Sequence, residues 1–429
     1  MKMDKPAVSI VMPVYNPGIY FEECLKTVFA QTFTDFELIC VNDASKDSLT
    51  LQILETYQNR YSNMKVLHLE QNVGAGEARN LGFKVAVGEY IIFLDSDDVY
   101  DKELLERMYM ECIKTDADVC ICGFTRFDSQ DEKREVIYEW KPDISKLEDK
   151  EKETYFLSWS MGPWDKLCKR KFLAEYNIYF QSLSPGDDLF YSLMIAKEAV
   201  KKAYIEESWL IKSRKNIPTQ ITANHDPRNI VHAAELMKCT MRQRNQYDKV
   251  MQTQLSLYMI FRVLDEMKYC RDDHIKRQSY HLMRHFLQQH QISNDHKILY
   301  ALYCNIMKQP YESRWFEPEI GYLWELQIYS EELKECISDK QHLFLWGLGK
   351  RGEAFQEFCI EENIVIQGVT DKINTNIGNT TKYGNKILST DEVMYSKGFI
   401  IASNENIYHE LIDMKLKANI LNLEKYCPI

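Results

Sequence analysis

The sequence has no long apolar run and no C-x-x-C cysteine pair. No apolar stretch reaches the about 18 residues that a helix needs to cross a bilayer, so any membrane contact would be peripheral. The 12 cysteines among 429 residues include no C-x-x-C pair, which argues against a structural zinc site, and they are too sparse for a disulfide framework. This usage is typical of a reducing compartment. We therefore expect the protein in the cytoplasm or at the inner face of the membrane.

Positive charge is also in deficit. The chain has 53 Lys and Arg against 64 Asp and Glu, which leaves a net charge of −11. A protein that binds nucleic acid by neutralising phosphates needs the opposite balance, so we expect no nucleic-acid partner. Residues 225–300 depart from this balance, with 12 basic and 8 acidic side chains. That local excess suits either a solvated surface or contact with an anionic membrane.

What the chain does have is the composition of an ordinary folded protein and a regular alternation of patterns. Hydrophobic residues make up 45% and charged residues 27%, and the length suggests two to four domains. Short apolar runs alternate with segments of helical spacing, an order that predicts an α/β fold with a mostly parallel sheet. The predicted strands are 7–13, 36–41, 64–69, 90–94 and 117–124, and the predicted helices are 21–33, 49–61, 76–87 and 104–115.

The rest of the chain divides into three further stretches. Residues 128–153 are polar and charged, and we expect a loop or insertion there. Residues 225–340 have a helical pattern with few glycines, and a second βαβ pattern begins at residue 341. We therefore predict a domain over 1–224, a helical region over 225–340, and a small Rossmann-like α/β domain over 341–429.

Four polar clusters follow the first four predicted strands, at 13–16, 42–45, 72–80 and 95–98. The carboxyl ends of parallel strands meet at one edge of a sheet, which is where such sheets bind ligands. Each cluster alone is weak evidence, because an aspartate after a strand often caps a helix. Together they predict one polar crevice.

The fourth cluster holds three carboxylates within four residues: Asp95, Asp97 and Asp98. Such packing is costly unless a cation or solvent relieves the repulsion. Carboxylate oxygens suit Mg²⁺ or Mn²⁺ shared with substrate phosphates. The alternative is a solvated turn that caps the following helix.

Taken in order, these clusters resemble the family 2 inverting glycosyltransferases of the GT-A fold. The resemblance covers residues 7–222, about half of the chain, and rests on residues 9–16, 42–45, 72–80 with Gly82, 95–97 (the D-x-D motif), 164–167 with Arg170, and 186–190. It implies a mostly parallel GT-A sheet and transfer of a sugar from a nucleotide donor, typically a UDP-sugar. The acceptor would be a saccharide or lipid-linked saccharide in bacterial surface polysaccharide or glycoconjugate assembly.

The resemblance also implies roles for individual residues. Asp97 would bind the divalent metal, Mn²⁺ or Mg²⁺, and Asp95 would contact the ribose or share that metal. Asp43 would hydrogen-bond the nucleotide base, and Arg79 would lie near the base or the diphosphate. The remaining positions assigned to the donor pocket are Pro13, Tyr15, Asn16, Asn72 and Gly74.

The general base falls on an acidic pair. The family match places it at Asp188, but the family usually has Glu-Asp where this chain has Asp187 and Asp188, so either aspartate remains a candidate. Arg214 could face the diphosphate. A protein that kept the fold only to bind nucleotide sugars, as a sensor or scaffold, would be expected to lose Asp97 or Asp188, and both are present.

A second glycine motif, G-x-G-x-x-G from Gly347 to Gly352, follows a predicted strand and precedes a predicted helix, with Asp371 19 residues further on. This spacing is that of a dinucleotide-binding turn. It suits either nucleotide or nucleotide-sugar binding, or a turn in which glycine allows close packing of helix on strand. An oxidoreductase is disfavoured because no catalytic Tyr-x-x-x-Lys set follows.

Overall fold

The computed structural model describes residues 5–129, 133, 135–152, 155–215, 225–290, 342–371, 377–396, 399–403 and 420–422, with the single positions 303, 306, 307, 334, 337, 407 and 411. The chain divides into two compact units, Met1–Glu266 and Met267–Ile429. The predicted domain boundaries near 224 and 340 fall outside the described residues, so the three-domain division stays a prediction.

The first unit contains two sheets. Its strands are β1 (Val8–Val14), β2 (Phe36–Asn42), β3 (Met64–His68), β4 (Tyr90–Phe93), β5 (Val99–Tyr100), β6 (Val119–Cys122), β7 (Phe124–Asp128), β8 (Val136–Trp140), β9 (Lys166–Lys169), β10 (Lys202–Ile205) and β11 (Ile211–Lys215). Seven of them form a sheet in the order β10-β6-β9-β4-β1-β2-β3, and the other four form a sheet in the order β5-β11-β7-β8. The larger sheet confirms the predicted α/β class.

The centre of the larger sheet is parallel. Strand β1 pairs in parallel with β2 and β4, and β2 pairs in parallel with β3, whereas β9 runs antiparallel to β4 and β6. Nearly every side chain of β1 and β2 is buried. Helices cover both faces of such a sheet, so its strands appear in the sequence as continuous apolar runs.

Nine helices of the first unit are described: α1 (Ile19–Phe29), α2 (Ser48–Arg60), α3 (Ala75–Val85), α4 (Leu104–Thr115), α5 (Ile144–Glu148), α6 (Arg170–Glu175), α7 (Leu189–Glu198), α8 (Arg228–Gln243) and α9 (Lys249–Tyr269). A 3₁₀ turn covers Tyr155–Ser158. Local chemistry sets some of the ends. The Asp47 carboxylate caps α2 by accepting from the amides of Leu49 and Thr50, and α4 ends at Asp116, whose φ is +53°.

The expectation of a loop over 128–153 is wrong in part. Strand β8 and helix α5 lie within that stretch, and β8 pairs antiparallel with β7. Four of the five side chains of β8 are exposed, so no buried alternation marks it in the sequence. Its backbone hydrogen bonds to β7, rather than burial, make it a strand.

The second unit contains α10 (Asp273–Gln288), β12 (Leu343–Trp346), α11 (Lys350–Glu361), β13 (Ile366–Thr370), α12 (Thr390–Tyr395), β14 (Phe399–Ala402) and β15 (Ile420–Asn422). Its four strands form a parallel sheet in the order β13-β12-β14-β15, so a small α/β sheet is present where one was predicted. The predicted helical pattern after residue 225 is seen as α8, α9 and α10. Within the described part of the chain, no helix is long and apolar enough to span a membrane.

Candidate active site

The polar clusters that follow β1 to β4 lie at one edge of the large sheet. Val14 at the end of β1 pairs with Asn42 at the end of β2, and Val11 pairs with Phe93 at the end of β4. Asn42 in turn pairs with His68 at the end of β3, so the four predicted clusters lie along one edge of the sheet, as expected for parallel strands.

Asp43 organises the glycine turn before α3. Its buried carboxylate accepts hydrogen bonds from the amides of Val73, at 2.7 Å, and Gly74, at 2.9 Å. Gly74 has a φ of +87°, and open space lies where its Cβ would be. Asn72 is exposed. The backbone at Gly74 is thus accessible, and the hydrogen bonds to Asp43 fix the conformation of the turn.

The residues after β1 connect this turn to its neighbour. The side-chain oxygen of Asn16 accepts from the amides of Lys46, at 2.8 Å, and Asp47, at 3.0 Å, and Asn16 itself has a φ of +50°. Tyr15 is 49% exposed and Pro13 is half-buried. Of the three predicted base-pocket residues, Tyr15 therefore has the most surface available to a ligand.

The D-x-D turn is anchored on both sides. The Tyr100 hydroxyl accepts from the Asp95 amide and donates to the Asp95 carbonyl, both at 2.9 Å. The Arg214 amide donates to the Asp98 carboxylate at 2.6 Å, and the Arg214 guanidinium donates to the Asp97 carbonyl at 2.8 Å. Arg214 thus fixes the conformation of the D-x-D turn through hydrogen bonds to Asp97 and Asp98.

Arg214 has further partners that account for its position. Its guanidinium forms an ion pair with Glu23 of α1 at 2.8 Å and lies over the rings of Tyr20 and Phe127. The side chain is only 3% exposed. Sequence reasoning named Arg214 but missed Glu23, because nothing in the pattern of α1 links it to a residue almost 200 positions later.

Arg79 joins the D-x-D turn to the acidic pair. One guanidinium nitrogen contacts the Asp95 carboxylate at 2.6 Å, and another contacts the Asp187 carboxylate at 2.5 Å. Burial opposes the charge of Arg79, but Asp95 and Asp187 outweigh it and raise the arginine pKa. The guanidinium also lies over the ring of Phe180. Arg79 therefore lies between two carboxylates that come from distant parts of the chain.

Helix α3 also holds the segment that leads to the acidic pair. The Asn80 side chain exchanges two hydrogen bonds of 2.9 Å with the backbone of Phe180. A side chain at Gly76 would collide with the Gln181 carbonyl and the Asp187 side chain. Glycine at this position therefore allows the helix and the acidic segment to pack closely.

Asp187 and Asp188 have different environments. Asp187 is paired with Arg79, although burial still raises the pKa of Asp187, whereas Asp188, which precedes α7, makes no side-chain cap hydrogen bond to that helix. Burial and the charge of Asp187 raise the pKa of Asp188 to about 7. Helix capping therefore does not account for the Asp188 carboxylate.

The loop before β9 is fixed against the start of α7. The buried Lys166 ammonium donates to the carbonyls of Ser160, at 2.8 Å, and Gly162, at 2.7 Å. The Ser192 hydroxyl, one turn after Asp188, donates to the Met161 carbonyl at 2.7 Å. These bonds set the distance between residues 160–162 and the helix that begins after Asp188.

The residues at the D-x-D turn fit a divalent cation. Asp97 is partly exposed, and burial together with the charge of Asp95 raises its pKa to about 6. Burial and the charges of Asp97 and Asp95 likewise raise the pKa of Asp98. No group of three or more His, Cys, Asp or Glu side chains among the described residues forms a complete metal site. A cation here would need phosphate oxygens as further ligands, as Mg²⁺ commonly does.

Helix α9 brings two further residues close to this region, and sequence reasoning missed both. The Tyr258 hydroxyl is buried without a hydrogen-bond partner in the described part of the chain, and its pKa is raised to about 12 by burial, with the charge of Asp188 adding to the rise. Arg262 follows one turn later. No local pattern marks these residues, because they alternate with the apolar side chains of an ordinary packed helix.

Comparison with known proteins bears on the family of this chain. The model of "Glycosyl transferase family 2" matches residues 9–173. Glycosyltransferase GlyG of Streptococcus pneumoniae is 37% identical over 124 residues, which are 29% of this chain and 41% of GlyG. The uncharacterized glycosyltransferase EpsJ of Bacillus subtilis is 30% identical over 226 residues, 50% of this chain and 64% of EpsJ. The chain thus matches less than two thirds of the length of either relative.

A crystal structure of S. aureus TarS 1-349 in complex with UDP has a similar fold. The match covers 76% of this chain and 91% of the TarS chain, with a TM-score of 0.55 and 22% sequence identity. At this identity the likeness shows the fold alone, which is the predicted GT-A architecture.

Proposed function

The chain belongs to the family 2 glycosyltransferases, and from that premise we propose that its first unit is a metal-dependent inverting transferase. It would move a sugar from a nucleotide donor, a UDP-sugar, to a hydroxyl of a saccharide or lipid-linked saccharide. One observation carries the proposal: a single guanidinium, that of Arg79, contacts both Asp95 of the D-x-D turn and Asp187 beside Asp188. The acids for the donor and the acid for the acceptor therefore meet in one crevice.

On the donor side, the reaction needs stabilisation of the departing diphosphate. A bound Mn²⁺ or Mg²⁺ supplies it by neutralising charge that develops on the leaving phosphates. Asp97 is the better ligand, since Asp95 is already paired with Arg79. Asp95 then either contacts the ribose or shares the metal. The open backbone at Gly74 and the exposed ring of Tyr15 suit the nucleoside.

On the acceptor side, Asp188 serves as the general base. Its carboxylate takes the proton of the acceptor hydroxyl while the hydroxyl oxygen attacks the anomeric carbon, on the face opposite the leaving diphosphate. A pKa of about 7 lets an ionised Asp188 accept a proton more readily than an ordinary carboxylate would. Asp187, held by Arg79, is a positioning residue.

The alternative is a protein that binds nucleotide sugars without transferring them. Such a protein gains nothing from an Asp188 carboxylate whose charge is disfavoured by burial and by Asp187. Burial of an ionisable group in this way lowers stability, and active sites are where such a cost is usually retained. The environment of Asp188 therefore favours the transferase. Its setting would be bacterial surface polysaccharide or glycoconjugate assembly, in the cytoplasm or at the inner face of the membrane.

A thermal-shift screen of nucleotide sugars, with and without Mn²⁺, tests the proposal. A UDP-sugar at a hundredfold excess over Kd should add about 2.7 kcal/mol of stability, and only when Mn²⁺ is present. Asp97→Asn should remove the metal dependence, whereas Asp371→Asn in the second unit should preserve it. Stabilisation that is the same without Mn²⁺ in the unsubstituted protein would contradict the metal-dependent mechanism.

A further inference from the structure

The proposed chemistry does not use three basic side chains of the first unit: Arg126 on β7, Lys215 on β11 and Arg262 on α9. The charge of Arg126 acts on Lys215, the charge of Arg262 acts on Arg126, and that of Asp98 beside the D-x-D motif acts on both Arg126 and Lys215. Arg126 pairs with Ser213 in the parallel register of β7 and β11. Lys215 is two residues beyond Ser213 and thus projects from the same face of the small sheet. Arg126 and Lys215 are therefore diagonal neighbours. We call Arg126, Lys215 and Arg262 the basic cluster.

Among the described residues, no carboxylate lies within hydrogen-bond distance of the basic cluster, although the charge of Asp98 acts on Arg126 and Lys215. The Nε atoms of Arg126 and Arg262 are both buried without a hydrogen-bond partner among the described residues. Arg126 lies over the rings of Phe124, at 5.3 Å, and Tyr138, at 4.9 Å, contacts that attract its charge but use no N–H group. Arg262 forms a long ion pair with Asp265, at 3.9 Å, and although burial lowers its pKa, Tyr258, Asp265 and Glu266 outweigh that effect and raise it.

Lys215 is the third member of the basic cluster. Within the described part of the chain, its ammonium forms no hydrogen bond or ion pair, although the protein as a whole carries a net charge of −11. Burial lowers the pKa of Lys215, and the charge of Arg126 lowers it further, against the opposing charges of the D-x-D acids. Like charges held together in partly buried positions are unfavourable unless an anion joins them.

The position of the cluster indicates what such an anion belongs to. Tyr258 lies one turn before Arg262 on α9, and its buried hydroxyl is influenced by the charges of both Arg262 and Asp188. Tyr258 thus links Arg262, at the α9 end of the basic cluster, to Asp188. The acceptor must approach Asp188 to lose its proton, so a ligand group that contacts Arg262 and Arg126 belongs to the acceptor. The guanidinium on the donor side, that of Arg79, is already paired with two aspartates.

We propose that the basic cluster binds an anionic group, phosphate or carboxylate, of the acceptor, so that the acceptor is an anionic saccharide. The two guanidinium groups offer planar pairs of N–H donors that match the oxygens of either group, and Lys215 adds a point charge. The inference rests on the proposed function for its assignment to an acceptor, but the anion subsite itself can be measured without turnover.

The experiment titrates small probes into the full chain saturated with UDP and Mn²⁺, by calorimetry. The anionic probes are glycerol 3-phosphate and glucuronate, and the matched neutral probes are glycerol and glucose. We expect at least one anionic probe to bind and neither neutral probe to do so. Arg126→Gln and Arg262→Gln should each weaken that binding by about tenfold or more, since a charge-assisted hydrogen bond is lost, while the Kd for UDP changes less than about twofold.

Two further variants control for indirect effects. Lys212→Gln removes an exposed charge from the same strand, three residues before Lys215, and should leave all affinities unchanged. Arg126→Lys keeps the charge and should retain more anion affinity than Arg126→Gln. If Arg126→Gln does not fold, the comparison of Arg126→Lys with Arg262→Gln still decides the matter.

Each other result is informative. Equal binding of neutral and anionic probes, or no binding of either anion at millimolar concentration, would overturn the proposal. Loss of UDP affinity in parallel with anion affinity would assign the cluster to the donor diphosphate instead. If UDP itself does not bind, the proposed function fails, whereas anion binding without UDP would leave the subsite standing.

Discussion

Each unit contains a glycine-containing turn that precedes a helix, and in both turns an aspartate carboxylate accepts hydrogen bonds from backbone amides. Before α3, the carboxylate of Asp43 accepts hydrogen bonds from the amides of Val73 and Gly74. Before α11, the carboxylate of Asp371 accepts from the amide of Leu348 at 2.9 Å. In both cases the aspartate follows a neighbouring parallel strand. The same local motif has thus been used twice.

The two turns differ in what surrounds them. At the second turn, a side chain at Gly347 would overlap Ser403, and one at Gly352 would overlap the Gly347 carbonyl, so close packing accounts for both glycines, whereas Gly349 faces open space as Gly74 does. At the first turn, α3 continues to Arg79, which contacts Asp95 after β4 and Asp187 before α7. A glycine turn alone therefore does not identify an active site. The acids that contact Arg79 distinguish the first turn from the second.

Substitution of Arg79 should have the largest effect on folding stability. Arg79→Gln leaves Asp95 and Asp187 partly buried without their counter-ion, and breaking such a pair costs about 3–5 kcal/mol. The matching change at the start of α11, the exposed Lys350→Gln, should alter stability by no more than about 0.5 kcal/mol. Urea unfolding measures both. A loss of stability below about 1 kcal/mol for Arg79→Gln would show that the ion pairs of Arg79 with Asp95 and Asp187 contribute little to folding stability.

Removal of the predicted metal ligand should affect chemistry rather than folding. Asp97→Ala should lower kcat in Mn²⁺ by about 10² to 10³-fold, because the departing diphosphate loses stabilisation. Asp371→Ala, its counterpart in the second unit, should leave turnover unchanged. Steady-state release of UDP is the measurement. Near-normal turnover of Asp97→Ala in Mn²⁺ would contradict the metal assignment.

The pH dependence of stability distinguishes the two units further. The Asp188 pKa is about 7 in the fold, against about 3.9 for an unfolded aspartate, so the folded state holds this proton more tightly. Stability therefore falls as pH rises between those values, and the full penalty is present above the folded pKa. Asp188→Asn should raise the free energy of unfolding by about 1–2 kcal/mol at pH 8 but little at pH 4.

The corresponding substitution in the second unit should lower, rather than raise, the free energy of unfolding. Asp371→Asn weakens the hydrogen bond to the Leu348 amide and should lower stability by about 1 kcal/mol. Urea unfolding at the two pH values measures both variants. A gain for Asp188→Asn that is equal at pH 4 and pH 8 would mean that the buried charge is not its cause.

Deletion of the second α/β sheet should have the smallest effect on the donor site. A chain that ends at Lys340 lacks the second glycine turn but retains every residue assigned to the donor. Its Kd for UDP should stay within about twofold of the full chain, as measured by calorimetry. Loss of UDP binding by a truncated chain that remains folded would show that the two units depend on each other.

The sequence predicted the parallel core of the first unit well, because strands buried on both faces leave continuous apolar runs such as β1 and β2. It also predicted that the polar clusters after β1 to β4 lie at one edge of the sheet, since parallel strand order alone places them there. It missed β8, whose exposed side chains carry no periodic signal.

The contacts of the site were less predictable than its location. Arg79 was expected near the base or the diphosphate, and the structure places it between Asp95 and Asp187. The basic cluster was not anticipated, because Arg126 on β7 and Arg262 on α9 are far apart in the sequence and share no local motif, although their charges interact in the fold. Such partners depend on tertiary packing, which a single sequence does not reveal.

The most direct test of this account compares Asp187→Asn with Asp188→Asn in UDP release and UDP titration. Asp188→Asn should lower kcat by about 10² to 10⁴-fold, the usual contribution of a general base, and leave UDP affinity nearly unchanged. Asp187→Asn should cost less activity and some stability, since it weakens the ion pair with Arg79. If Asp187→Asn is instead the variant that binds UDP but does not turn over, or if Asp188→Asn keeps full turnover, the assignment of the base is wrong.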